Sequence, residues 1–193
     1  EGVGGGKFAP ERTITRAEFT VMAMRFARLP EGGENPFSDV TSSDWFYDQV
    51  VGAVQYGWIT GYTDGTFRPE QPVSRAEPVK LIASYFTVEG GTSPFPDVPD
   101  GHWAAEVVSF AAEEGWVSGY PDGTFRPDAP VSRAEAVKIL NHALDRRAGE
   151  RAAALPFTDV EKGHWACDEI REAAVSHIYR KSGEGETWLT YER

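Results

Sequence analysis

Three arginines stand at matching places in this chain: Arg16, Arg75 and Arg133. Each follows a hydroxyl residue, Thr15, Ser74 or Ser132. Each precedes a glutamate by two positions, Glu18, Glu77 or Glu135. A Ser or Thr with Glu three positions later is the mark of a capping box, in which hydroxyl and carboxylate satisfy each other's backbone N–H. The Arg then falls on the first helical position. A helix N-terminus offers unpaired N–H groups and about half a positive charge. A guanidinium beside it adds a planar fork of donors that matches a carboxylate. The chemistry suggested is capture of an anion by local geometry. The other role open to such an Arg is an ion pair with a neighbouring Asp or Glu.

Aromatic residues recur near these positions. Trp58 and Trp116 follow Gly57 and Gly115, which sit where helix-ending glycines belong. Gly61–Tyr62 and Gly119–Tyr120 come just after. Sugar rings stack on aromatic faces, so Trp58, Trp116, Tyr62 and Tyr120 are candidates to line a groove. The two glycines allow close backbone approach, to a ligand or to a neighbouring helix. Trp45, Trp103 and Trp165 open helical patterns and are expected in the core. Asp97 with His102, and Asp159 with His164, have metal-ligating side chains, but the local sequence supplies no third or fourth ligand. The first copy has Asp39 and, in place of His, Asp44. Turn and helix-start roles are expected for these residues, with no metal and no cofactor. No nucleophile-and-base pair stands out, and the recurring acids have capping or turn roles, so no enzyme is expected. Cys167 is the single cysteine. It cannot form an intramolecular disulfide and reads as a small, half-buried residue.

The elements that position these residues are repeats. Residues 61–77, "GYTDGTFRPEQPVSRAE", return as "GYPDGTFRPDAPVSRAE" at 119–135. Residues 2–18, "GVGGGKFAPERTITRAE", are a worn copy in which Gly5 replaces the turn Asp. A second phrase begins F-x-D-V at Phe37, Phe95 and Phe157 and alternates with the first. Each phrase carries one helix, the R-A-E helices starting at the caps and the F-x-D-V helices at the three tryptophans. Asp64–Gly65 and Asp122–Gly123 signal tight turns. Phe67 and Phe125 are expected to plug back into the core. The pattern predicts an all-α, pseudo-threefold bundle of about six helices, each roughly 11 to 14 residues long. The expected organisation is a half repeat at 1–30, repeats at 37–88 and 95–146, and a half repeat plus tail at 157–193. The N-terminal R-A-E helix would pack on the C-terminal F-x-D-V helix and close a ring around one shared core.

Bulk numbers bound the partners. The chain has 193 residues, 40% hydrophobic and 12% aromatic, with six Trp and eleven Phe, so it is not a disordered type. Net charge is −11, which excludes wholesale binding to nucleic acid or to an anionic membrane. No stretch approaches the roughly 20 apolar residues that span a bilayer. The first residue is not Met, and the sequence reads as a mature piece of a longer protein.

The order F-x-D-V, G-W-x-x-G-Y-x-D-G-T-F, [TS]-R-A-E, repeated at fixed spacing, resembles the S-layer homology domain. The resemblance covers about residues 2–178; the tail resembles C-terminal endings of such modules more weakly. It implies a three-pronged helical body that anchors exported proteins to the bacterial cell wall. The implied partner is a secondary cell-wall polysaccharide, often carrying pyruvate ketals, held at Arg16, Arg75 and Arg133. A pyruvate ketal would supply the carboxylate. An acidic protein can hold an acidic ligand, because charges beyond about 8 Å are screened at physiological salt. The alternative is a self-assembly module of a surface layer, with other subunits as partners. The groove of the worn first copy is expected to be the altered one.

Overall fold

The structure is a computed structural model describing residues 2–27, 32–84, 86–89, 91–146, 154–182 and 185–191. The stretches 28–31 and 147–153, where interhelical linkers are expected, lie outside the described residues. Six helices appear among those described. They are α1 (Arg16–Ala27), α2 (Tyr47–Gln55), α3 (Ala76–Ala83), α4 (Ala105–Glu113), α5 (Arg133–Ala143) and α6 (Cys167–Ala174). A hairpin of β1 (His177–Ser182) and β2 (Gly185–Tyr191) follows. The all-α bundle is as expected; the hairpin is additional. At 8 to 12 residues the helices are mostly shorter than expected.

The shortening has a local cause. α2, α4 and α6 begin two residues after the tryptophans. A turn comes first: Tyr47 N–H donates to the Asp44 carbonyl, Ala105 to His102 and Cys167 to His164. The tryptophans lie in that turn on its solvent side. Trp45, Trp103 and Trp165 are 62%, 52% and 55% exposed, which overturns the core assignment.

The helices pair as prongs: α1 with α2, α3 with α4, α5 with α6. Each prong therefore joins the R-A-E helix of one phrase to the F-x-D-V helix that follows it. The three prongs meet on short extended segments before α1, α3 and α5. There the hydrogen bonds are cyclic: Ile14 N–H to the Val131 carbonyl (3.1 Å), Val131 to Val73 (2.9 Å), Val73 to Ile14 (3.0 Å). Ile14, Val73 and Val131 are buried on this axis and belong to one central cluster reaching into α1, α3, α4 and α5. Two satellite clusters fill the outer prongs, so the core is shared only in part.

Closure occurs chiefly through a loop, with Met22 of α1 packed against the cluster that holds Cys167 and Ile170 of α6. Phe67 and Phe125 are fully buried plugs, and Phe8 is the third. The residue after each plug, Arg68, Arg126 or Ala9, has φ near +58° (58°, 58° and 57°). An L side chain there costs roughly 1 kcal/mol or more. The F-x-D-V aspartates hold it. Asp39 accepts the N–H groups of Phe67 (2.7 Å) and Arg68 (2.8 Å), and Asp97 those of Phe125 and Arg126. Asp159 accepts those of Phe8 and Ala9, 151 and 150 positions away. Burial pushes the Asp97 and Asp159 carboxyls up, but the donated N–H bonds outweigh it and hold both below the usual range. The worn copy keeps the turn's shape: Gly6 accepts from Thr158 as Gly65 accepts from Ser38. The half repeats complete each other at this joint.

Candidate functional site: the grooves between prongs

The capping boxes form at two of three places. Ser132 and Glu135 exchange bonds to each other's N–H, as do Thr15 and Glu18. At Ser74 only half the box is made. Glu77 accepts the Ser74 N–H (2.6 Å), but its own N–H goes to the Ser74 carbonyl, and α3 starts one residue late at Ala76.

The helix N-termini are not open to an anion. Arg16 and Ala17 donate their N–H groups to the carbonyls of Gln71 and Pro69 on the next loop. Arg75 and Ala76 do the same to Ala129 and Pro127, and Arg133 and Ala134 to Arg12 and Pro10. The orphan donors that would make an anion site are consumed in joining the prongs. The sequence shows no partner for them, because the partners lie more than 50 residues away.

The arginine side chains are struts as well. Arg16 donates from Nε to Phe67 O (2.9 Å), from Nη1 to Glu77 Oε1 (2.9 Å) and from Nη2 to Thr60 O (3.2 Å). Arg75 donates to Glu135 Oε1 (2.9 Å) and Ser118 O (2.9 Å). Arg133 donates from Nε to Phe8 O (2.9 Å), and its guanidinium lies over the Phe8 ring. Burial lowers the Arg133 pKa, and the nearby Glu18 charge works against that. Glu77 and Glu135 thus each serve two helices: Oε2 takes the cap N–H of its own helix while Oε1 takes the Arg of the preceding phrase. The ion-pair role is the one these contacts display. A guanidinium has five donors, so Arg16 keeps two N–H groups beyond the three bonds it makes here.

The first groove lies between the α1–α2 prong and α3. It has a volume of about 550 Å³ and is lined by Arg16, Trp58, Thr60, Glu77, Lys80 and Trp103, among others. Lys80 Nζ lies 5.3 Å from the Trp103 ring centre. Sequence reasoning passed over Lys80, although Lys138 repeats it; Lys138 likewise sits 5.8 Å from the Trp165 ring. Arg16 belongs to the worn copy, yet its groove is framed by the intact turn ending at Phe67. The worn turn frames Arg133 instead. In that third groove Val21 stands at the Lys80 position, Ile178 at the Trp58 position and His177 at the Gly57 position. The alteration expected beside Arg16 therefore lies beside Arg133.

Trp116 is not a groove wall. It is 4% exposed and packs against Phe86 (4.7 Å) and Phe110 (5.2 Å). The repeat places Ala27 and Gly52 at the positions of Phe86 and Phe110, and Trp58 stays half-buried on the wall of the first groove. Tyr62 and Tyr120 stack under Arg68 and Arg126, 3.8 and 4.1 Å from ring centre to guanidinium. Gly61 and Gly119 serve packing: a Cβ on Gly119 would come 2.7 Å from the Phe95 ring. Gly2 holds the same place against Phe157. Asp97 and Asp159 clamp turns, while His102 and His164 accept the N–H groups of Ala104 and Ala166. Among the described residues no cluster of three or more His, Cys, Asp or Glu could hold a metal. Nor is any helix long and apolar enough to cross a membrane.

Three helical prongs joined in a ring, with a cationic and aromatic groove between two of them, give the three-pronged repeat architecture that the sequence resemblance implies. The chain belongs to the S-layer homology domain family, whose model matches residues 1–20, 36–77 and 94–137. It is similar to the cellulosome-anchoring protein of Acetivibrio thermocellus, 35% identical over 96% of this chain and 44% of that protein. It is also similar to cell surface glycoprotein 1 of the same organism, 35% identical over 97% of this chain and 9% of that protein. The surface-layer 125 kDa protein of Lysinibacillus sphaericus is 26% identical over 75% of this chain and 13% of its own length. The chain spans less than half the length of each of these relatives.

Proposed function

We propose that this chain is a non-catalytic module that anchors a larger bacterial surface protein to the cell wall by holding an anionic, pyruvylated polysaccharide in its first groove. Its family and the relatives above place it at the cell surface. The observation that carries the finer reading is the first groove itself. It is wide enough for a sugar unit, with the exposed Lys80 ammonium, the Arg16 guanidinium and the indoles of Trp58 and Trp103 on its walls. A ketal carboxylate meets the two cations, and the sugar ring lies against an indole. Glu77, already bonded to Arg16, opposes a second anion, so Lys80 carries much of the attraction.

The chain is also similar to the exoglucanase XynX of Acetivibrio thermocellus, over 76% of this chain but only 14% of that enzyme. A shared fraction of that size fits an accessory module. Self-assembly is the second reading, favoured by the exposed Ile178 and Leu189 on the hairpin. Pull-down with purified wall polysaccharide tests the first. Lys80→Ala should weaken binding about 10- to 100-fold, the worth of a hydrogen bond to a charged group. Chemical removal of pyruvate should do the same to the unmodified chain, and binding unmoved by it defeats the carboxylate mechanism. Concentration-dependent light scattering without glycan would favour assembly.

A further inference from the structure

The second groove differs from the first by one more residue. His142, on α5, reaches the end of α4 in the neighbouring prong. Its Nδ1 lies 2.9 Å from the Gly115 carbonyl, and its Nε2 lies 2.9 Å from Glu169 Oε1 on α6. The repeat puts Ser84 at this position in the first groove. Ser84 Oγ donates to Leu81 O on its own helix (2.6 Å), and both Gly57 and Ser84 line the open groove.

We propose that His142 is a latch across the second groove: by gripping the Gly115 carbonyl it holds the end of α4 against α5 and keeps this groove covered while the first stands open. Both partners of the ring are acceptors. Only the imidazolium, with an N–H on each nitrogen, can donate to both at once. A neutral ring keeps one contact and faces the other acceptor with a lone pair.

The surroundings agree. The bond to Glu169 raises the His142 pKa above its ordinary value; burial works against this and the Gly115 carbonyl adds to it. The charges acting on the ring are Glu169 from α6, which favours the imidazolium, and Lys138 on α5, which opposes it. From α4 the contact is the backbone carbonyl. Glu169 is itself fixed by Asn141 Nδ2 (2.9 Å). Because the folded pKa is raised, the grip is complete below the ordinary histidine pKa. It is lost as pH rises through the raised value.

The covered state also has a cost. Arg75 is 8% exposed, and its Nε is buried without a partner. Arg16 and Arg133 use the same atom to donate to the plug carbonyls Phe67 O and Phe8 O. The second groove is thus the one of the three in which this arginine bond is missing and the histidine bridge is present.

Hydrogen exchange on the whole chain tests the latch without any ligand. The amides of Trp116 and Val117 both donate to Ala111 O, at the end that His142 grips. His142→Ser should speed their exchange about tenfold, the factor expected when a charged hydrogen bond is lost. The unmodified chain should show the same rise, after correction for intrinsic rates, as pH passes the raised His142 pKa. Glu169→Gln should move that rise to lower pH and guards against simple misfolding of the serine variant. Unchanged protection of 116–117 in a folded H142S chain overturns the latch. The effect on ligand count rests on the polysaccharide reading and is read separately, by titrating a pyruvylated disaccharide. A second binding event in H142S extends the latch to recognition. Absence of binding at either groove defeats the polysaccharide reading and leaves the exchange result standing.

Discussion

The first and second grooves grow from nearly identical phrases, yet one is open and the other covered. Both have the same plug, the same aspartate clamp and the same Arg-to-Glu strut. They part at positions outside the repeated words: Gly52 against Phe110, Ala27 against Phe86, Ser84 against His142. The phrase builds the frame. What the frame exposes is decided by residues on the neighbouring helix and at the helix end.

The largest test of that contrast is Phe110→Ala. Removing a half-buried ring from the Trp116 cover should cost about 2 to 3 kcal/mol in urea unfolding, somewhat less than a fully buried phenylalanine. It should also admit acrylamide to Trp116. A Trp116 that stays shielded would show that the rings are not its cover. Next come Asp39→Asn and Asp97→Asn, which break the clamp once in each groove. Each should cost about 1 to 2 kcal/mol, and the two values should agree within about 0.5 kcal/mol, because the clamps are separate and alike. Unequal losses would mean that the frames differ, not only their covers. The depressed Asp97 carboxyl gives this a pH form: its contribution is full above the ordinary carboxylate range and is lost as pH falls through the folded value. Tyr120→Phe comes third. Its hydroxyl donates to Glu135 Oε1 (2.9 Å), and no such bond is made by Tyr62 among the described residues. The loss should be about 1 kcal/mol for Tyr120 and near zero for Tyr62. The smallest effect belongs to Glu169→Gln. Part-exposed His142 should lend less than about 1 kcal/mol below its pKa, and the decline of melting temperature with rising pH should flatten in the variant.

The sequence carried much of the frame. Repetition at 58-residue spacing, caps with Glu three positions on, and buried Phe67 and Phe125 were all readable from residue type and order. Other features depend on partners far along the chain. Nothing near Arg16 says that its N–H meets Gln71, so the helix start looked free for an anion. Trp103 looked like a core residue because helical spacing runs on from it; the turn that precedes α4 rotates it outward. One signal was present and unused. The F-x-D-V aspartates Asp39 and Asp97 both stand 28 positions before a plug, Phe67 or Phe125, and that fixed separation points to a long-range clamp rather than to a local turn. The third groove was misplaced for a related reason: a worn phrase damages the groove of the arginine that reaches into it, which here is Arg133.

The cyclic hydrogen bonds on the axis and the Asp159 clamp have a consequence for how the module comes apart. In a linear array of repeats, terminal units have one neighbour and fray first, and three units share two interfaces. Joined end to end, the same three units share three interfaces and none is terminal. Loosening any prong then strains two joints at once, so partial unfolding gains little entropy for the contacts it gives up. An anchor of this design should hold or let go in a single cooperative step.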